Sequence, residues 1–113
     1  NSSVDLYYNG STAAQTTSAG FAITGELEYL NISTVTAETT ASNADVILTD
    51  SGSYTVYLTE KDRAIIRVKN IDSGNTITIQ GLSGTIDGSA NTTLTSQYES
   101  LTFVCDGSNW YIV

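Results

Sequence analysis

The chain has 113 residues, 40% of them apolar and only 14% charged, with a formal net charge of −8. That length fits one domain of ordinary size, or a small domain with an appendage. The acidic surplus opposes binding to nucleic acid or to anionic lipid, since both depend on Lys and Arg, and no apolar run reaches the length of a membrane-spanning helix.

Ser and Thr dominate the polar residues, Pro and Met are absent, and seven Tyr accompany many Val, Ile and Thr. That is strand composition, and it differs from the charged, aromatic-poor composition of disordered chains. One cysteine excludes an intrachain disulfide and leaves the compartment open. The chain starts at Asn1, as expected of a processed product or a fragment of a longer polypeptide. All four basic residues, Lys61, Arg63, Arg67 and Lys69, fall in one segment beside Glu60, Asp62 and Asp72. Local ion pairs are the expectation there, ahead of a basic binding patch.

The first element is Val4-Asp5-Leu6-Tyr7-Tyr8, whose alternation sets Val4, Leu6 and Tyr8 on one face. Asn9-Gly10 follows, a strong signal for a two-residue hairpin turn. Ser11 to Ala19 is small and polar, and Phe21 to Gly25 is a second short alternating run. Tyr8, Phe21 and Ile23 find few apolar partners in this segment, so a neighbouring chain or the rest of the domain must supply them. Glu26 to Val35 reads as a strand, because the β-branched run around Ile32 opposes a helix. Residues 39–43 read as a connector, which divides the chain into an N-terminal segment, 1–40, and a C-terminal domain, 41–113.

From Ala44 the pattern is regular. Strands are predicted at Val46–Leu48, Tyr54–Leu58, Ala64–Asn70, Thr76–Gln80, Thr85–Ile86, Thr92–Thr95, Ser100–Cys105 and Asn109–Val113. Val56, Leu58, Ile66, Val68, Ile77 and Ile79 are predicted to face inward, and Ile65, Arg67 and Lys69 outward. Asp-Ser-Gly and Asp-Gly turns separate the runs, the pattern of an all-β antiparallel sandwich or small barrel. The closing Trp110-Tyr111-Ile112-Val113 reads as a strand tied into core or interface.

Nothing in the residues points to an enzyme. There is no histidine, so the commonest general base and metal ligand are missing. Cys105 alternates with Leu101 and Phe103 and reads as a buried structural thiol. Calcium is the one cofactor weighed, through Asp50, Asp72, Asp87 and Asp106. No segment has the ligand spacing of a calcium loop, so turn chemistry is preferred and no cofactor is expected. Asn31-Ile32-Ser33 and Asn91-Thr92-Thr93 match a glycosylation pattern that abundant Ser and Thr produce by chance. Tyr7, Tyr57 and Tyr111 fall opposite the core positions of their strands. Packing between subunits is the preferred reading for them, with sugar binding as the alternative, and Tyr57 and Tyr111 are the candidate surface-binding residues.

Two stretches carry a resemblance. Residues 4–25, VDLYYNGSTAAQTTSAGFAITG, resemble the shaft-like unit of tail-fibre and other appendage proteins of tailed phages. Residues 84–113, with GTIDG and then VCDGSNWYIV, look like the end of many phage structural proteins. The resemblance implies a homotrimer in the virion, with an intertwined N-terminal shaft and a C-terminal knob. The full expectation is therefore an extended β-hairpin segment followed by a small antiparallel β-sandwich or jelly-roll-like domain. Val4, Leu6, Tyr8, Phe21, Ile23 and Trp110 are the candidate subunit-interface residues. The implied function is a fibre that attaches to the host surface, with other virion proteins and a host glycan as partners; a capsid decoration protein is the alternative.

Overall fold

The computed structural model describes residues 5–8, 11–17, 20–23, 31–42 and 46–113. Among them are twelve strands and no helix. The Asn9-Gly10 turn, Val4 and the expected strand residues 26–30 lie outside the described residues.

The first three strands, β1 (Asp5–Tyr8), β2 (Ser11–Thr17) and β3 (Gly20–Ile23), form an antiparallel sheet that, among the described residues, pairs only within itself. Tyr8 pairs with Ser11 and Thr17 with Gly20, so each connection is two residues long. The small, polar stretch after Asn9-Gly10 is thus the central strand. Its first half pairs with β1 and its second half with β3, with Ala14 and Gln15 paired on both sides.

The remaining strands are β4 (Ile32–Val35), β5 (Thr39–Ala41), β6 (Val46–Thr49), β7 (Tyr54–Leu58), β8 (Ile65–Asn70), β9 (Ile77–Gly81), β10 (Asn91–Leu94), β11 (Ser100–Cys105) and β12 (Trp110–Ile112). They build a five-stranded sheet, β12-β11-β8-β6-β4, and a four-stranded sheet, β10-β9-β7-β5. From β4 to β9 the chain alternates between the two, and each strand lies parallel to the one two positions earlier. The chain therefore winds as a short two-faced coil. Antiparallel additions close it: β10 on β9, β11 on β8 and β12 on β11.

This two-layer, all-β form is consistent with a small β-sandwich, but its sheets are mixed where antiparallel sheets were expected. Alternation reports which side chains are buried and is blind to the direction of the partner strand. Asp50 to Ser53 carries the chain across to the opposite sheet, so the next strand in the same sheet arrives parallel. Two further expectations are corrected. Residues 39–41 are strand β5 and no connector, which puts the expected division at 40/41 inside a strand. The strand expected at Thr85–Ile86 reduces to isolated bridges of Ile86, to Ser89 and to Trp110.

The core lies between the sheets. Ile47, Ile66, Val68, Phe103, Cys105 and Trp110 come from the five-stranded side, and Ala41, Val56, Leu58, Ile77, Ile79 and Leu94 from the other. Each of the larger side chains contributes about 1.5–3 kcal/mol by leaving water. One end of the core is polar. Thr49 and Asn70, paired across β6 and β8, are wholly buried, and Asn75 is nearly so. Asn70 Nδ2 donates to Asn75 Oδ1 at 2.8 Å, and Asn75 Nδ2 donates to Gly52 O at 2.8 Å. These bonds knot together the turns that cap three strands.

The outer edge of β12 is occupied by the loop that joins β9 to β10. Trp110 donates its N–H to Thr85 O at 2.8 Å and accepts from Asp87 N–H at 3.0 Å. The Asp87 carboxylate then accepts Ile112 N–H at 3.2 Å. Unpaired edge groups are thereby satisfied within the chain.

Candidate functional site

The outward faces of the two sheets differ in chemistry. On the four-stranded sheet the register sets Thr40, Tyr57, Gln80 and Asn91 in one row and Thr55, Thr78 and Thr93 in the next. These positions are uncharged and rich in hydroxyls and amides, with half-buried Tyr57 as the aromatic platform. On the five-stranded sheet one outward row runs Ile32, Val46, Arg67 and Thr102, and the next Thr34, Leu48, Lys69 and Ser100. A third row joins Ile65, Val104 and Tyr111. This second face is apolar with two cations at its centre.

Between the coil's first strands, β4 and β5, lies a cleft of about 240 Å³ floored by Ile47 and flanked by Ser33, Val35, Thr39 and Ala41. Its lining holds no ionisable side chain, so the cleft offers shape and hydrogen bonds but no acid–base group.

The predicted site residues separate. Tyr111 is exposed on β12, and its hydroxyl donates to Asp106 Oδ2 at 3.3 Å. The charge of Asp106 raises the Tyr111 hydroxyl above its ordinary value. Trp110 is wholly buried in the core of its own chain, where a subunit-interface position was expected, because the β11–β12 hairpin turns it inward beside Cys105. Leu6 and Tyr8 lie on β1, and Phe21 and Ile23 on β3, with Leu6, Ala14 and Ile23 in one cross-strand row; their side chains lie outside the described residues.

The acidic residues act on the backbone. Asp106 Oδ1 accepts Ser108 N–H at 2.9 Å and Asn109 N–H at 2.8 Å. Asp72 Oδ1 accepts Ser73 N–H at 2.9 Å. Among the described residues no three His, Cys, Asp or Glu side chains converge as a metal site would require. Among the described residues, the local ion pairs expected of the basic segment reduce to one exposed contact, Arg63 to Asp62 at 3.9 Å. Arg67 and Lys69 instead stand on the open sheet face, and Lys69 Nζ lies 5.7 Å from the centre of the Tyr98 ring.

Glu60, expected to form local ion pairs beside the basic residues, instead binds backbone. Its Oε1 accepts the N–H groups of both Ser83 and Gly84. Burial alone would raise its carboxyl, but these two N–H groups and the Trp110 indole outweigh it and hold the group below its usual value. Neither Trp110 Nε1 nor Glu60 Oε2, both buried, closes a hydrogen bond of good geometry. The nearby Gly81 and Gly84 were the available signal. A Cβ on Gly81 would stand 2.6 Å from Gly84 O, so the loop folds this tightly around the carboxylate only with glycine there.

No protein-family profile matches the chain, and no curated protein matches it.

Proposed function

We propose that the chain is a structural protein of a tailed-phage virion, a homotrimeric fibre that displays its C-terminal β domain for attachment to the host surface and has no enzymatic role. The observation that carries this reading is the uncharged outer face around Tyr57 in a chain of net charge −8. A tyrosine ring can stack on the C–H face of a sugar, while neighbouring Gln80, Asn91 and Thr78 exchange hydrogen bonds with its hydroxyls. Such a face suits a neutral glycan. Residues 4–25 and 84–113, which resemble phage appendage proteins, support the virion assignment. The β1–β3 sheet, which among the described residues pairs only within itself, is the segment available to assemble the trimer.

Electron microscopy of intact particles, with the chain labelled, tests this reading. Density on a fibre of the tail or head is the expected result. Density spread over the capsomers would support a capsid decoration protein and overturn host attachment. Tyr57→Ala should abolish binding of the trimer to host cells while leaving the fold intact; unchanged binding would remove the Tyr57 face from the mechanism.

A further inference from the structure

The exposed large apolar side chains among the described residues are Ile32, Ile65, Leu82, Tyr98, Tyr111 and Val113. They are not scattered. Ile32, Ile65 and Tyr111 point outward from the five-stranded sheet, and Val113 extends the same face, its N–H bonded to Thr102 O at 3.0 Å. Tyr98 joins them through Lys69. Its backbone takes a left-handed φ of 67°, unusual for a bulky residue, which holds the ring beside the Lys69 ammonium. Only Leu82 lies elsewhere.

Arg67 and Lys69, two of the four basic residues, occupy the centre of this face, and its outward strand positions hold no acid. Apolar area with Tyr and Arg, whose nearest carboxylate is Asp106 at the rim on the Tyr111 hydroxyl, is the composition of an interface core. We propose that this face binds a second copy of the same chain, and that it meets the acidic loops of that copy and not the equivalent face. Face against equivalent face would set Arg67 and Lys69 of one copy against those of the other, a like-charge contact. The chain carries 12 acidic residues against 4 basic ones, and Asp62 and Asp87 are exposed in its turns, so the complementary surface is present on every copy. A contact between two different patches closes into a ring when the rotation allows, as a trimer requires.

The proposal rests on the homotrimer above, and sedimentation of the full chain at micromolar concentration separates the two. The wild-type chain should sediment as an oligomer that weakens as salt rises. The double variant Arg67→Glu/Lys69→Glu, and separately Ile65→Asp, should weaken association by roughly tenfold or more while far-UV circular dichroism is unchanged. Leu82→Asp, exposed away from the face, should leave association as it was. An oligomer that survives both face variants overturns this interface and leaves the trimer standing. A wild-type monomer overturns both.

Discussion

Asn70 and Asn75 are joined side chain to side chain at 2.8 Å, and both are buried where β8 turns toward β9. Asn70 Oδ1 also receives Asp72 N–H at 3.3 Å and lies 3.4 Å from the Thr49 hydroxyl. Removing this amide strands several polar groups at once. Asn70→Ala should cost about 3 kcal/mol, seen as a lower denaturation midpoint at unchanged slope. A loss below about 1 kcal/mol would show that water replaces the amide without penalty.

Two glycines of one loop should respond very differently to alanine. A Cβ on Gly84 would stand 2.0 Å from Ser108 O, a backbone atom that cannot swing away, so Gly84→Ala should cost about 3 kcal/mol. Gly88 has open space around it and a φ of +82°, so Gly88→Ala should cost only about 1 kcal/mol, from backbone strain. Equal losses in thermal unfolding would contradict the close approach of the 84 and 108 loops.

Glu60 gives the fold a pH dependence of definite sign. Its carboxyl is held below the ordinary value of 4.5, so the unfolded chain binds the proton more readily. The stabilisation is present above pH 4.5 and is lost as pH falls through the lower, folded value. Glu60→Gln should flatten that part of the stability–pH curve. Superimposable curves for the two proteins below pH 4.5 would rule the carboxylate out.

Trp110→Ala should cost about 3–5 kcal/mol, because the ring is wholly buried and its backbone ties the 85–87 loop to β12. The loss should not vary with chain concentration. A concentration-dependent loss would return Trp110 to a subunit interface.

The sequence showed the faces of the strands better than their company. In β7, β8 and β9 the alternation of Val56, Ile66, Val68, Ile77 and Ile79 with polar or exposed neighbours matches the observed burial. The parallel winding was illegible, since Ile47 alternates identically whether Val68 beside it runs with it or against it. Strand β5 was missed because Thr39-Thr40-Ala41 has no large apolar residue, and its pairing with β7 supplies what its side chains lack. Asn75 sits in an Asp-Ser-Gly-Asn run that reads as surface turn, and only the neighbouring turns bury it. On the sites, the outward positions of Tyr57 and Tyr111 were legible from strand period. Glu60 was not, because its partners are backbone N–H groups about two dozen residues away.

The two edges of the five-stranded sheet have unlike fates. β12 spends its edge groups on Thr85 and Asp87, whereas β4 has no further strand beside it among the described residues. Growth of this sheet by strand addition can thus proceed in one direction only. Two copies that met through β4 would present the guarded β12 edge at both outer ends, and the ladder would stop there. For a protein whose strands are rich in Thr, Ile and Val, that asymmetry guards this sheet against amyloid-like polymerisation.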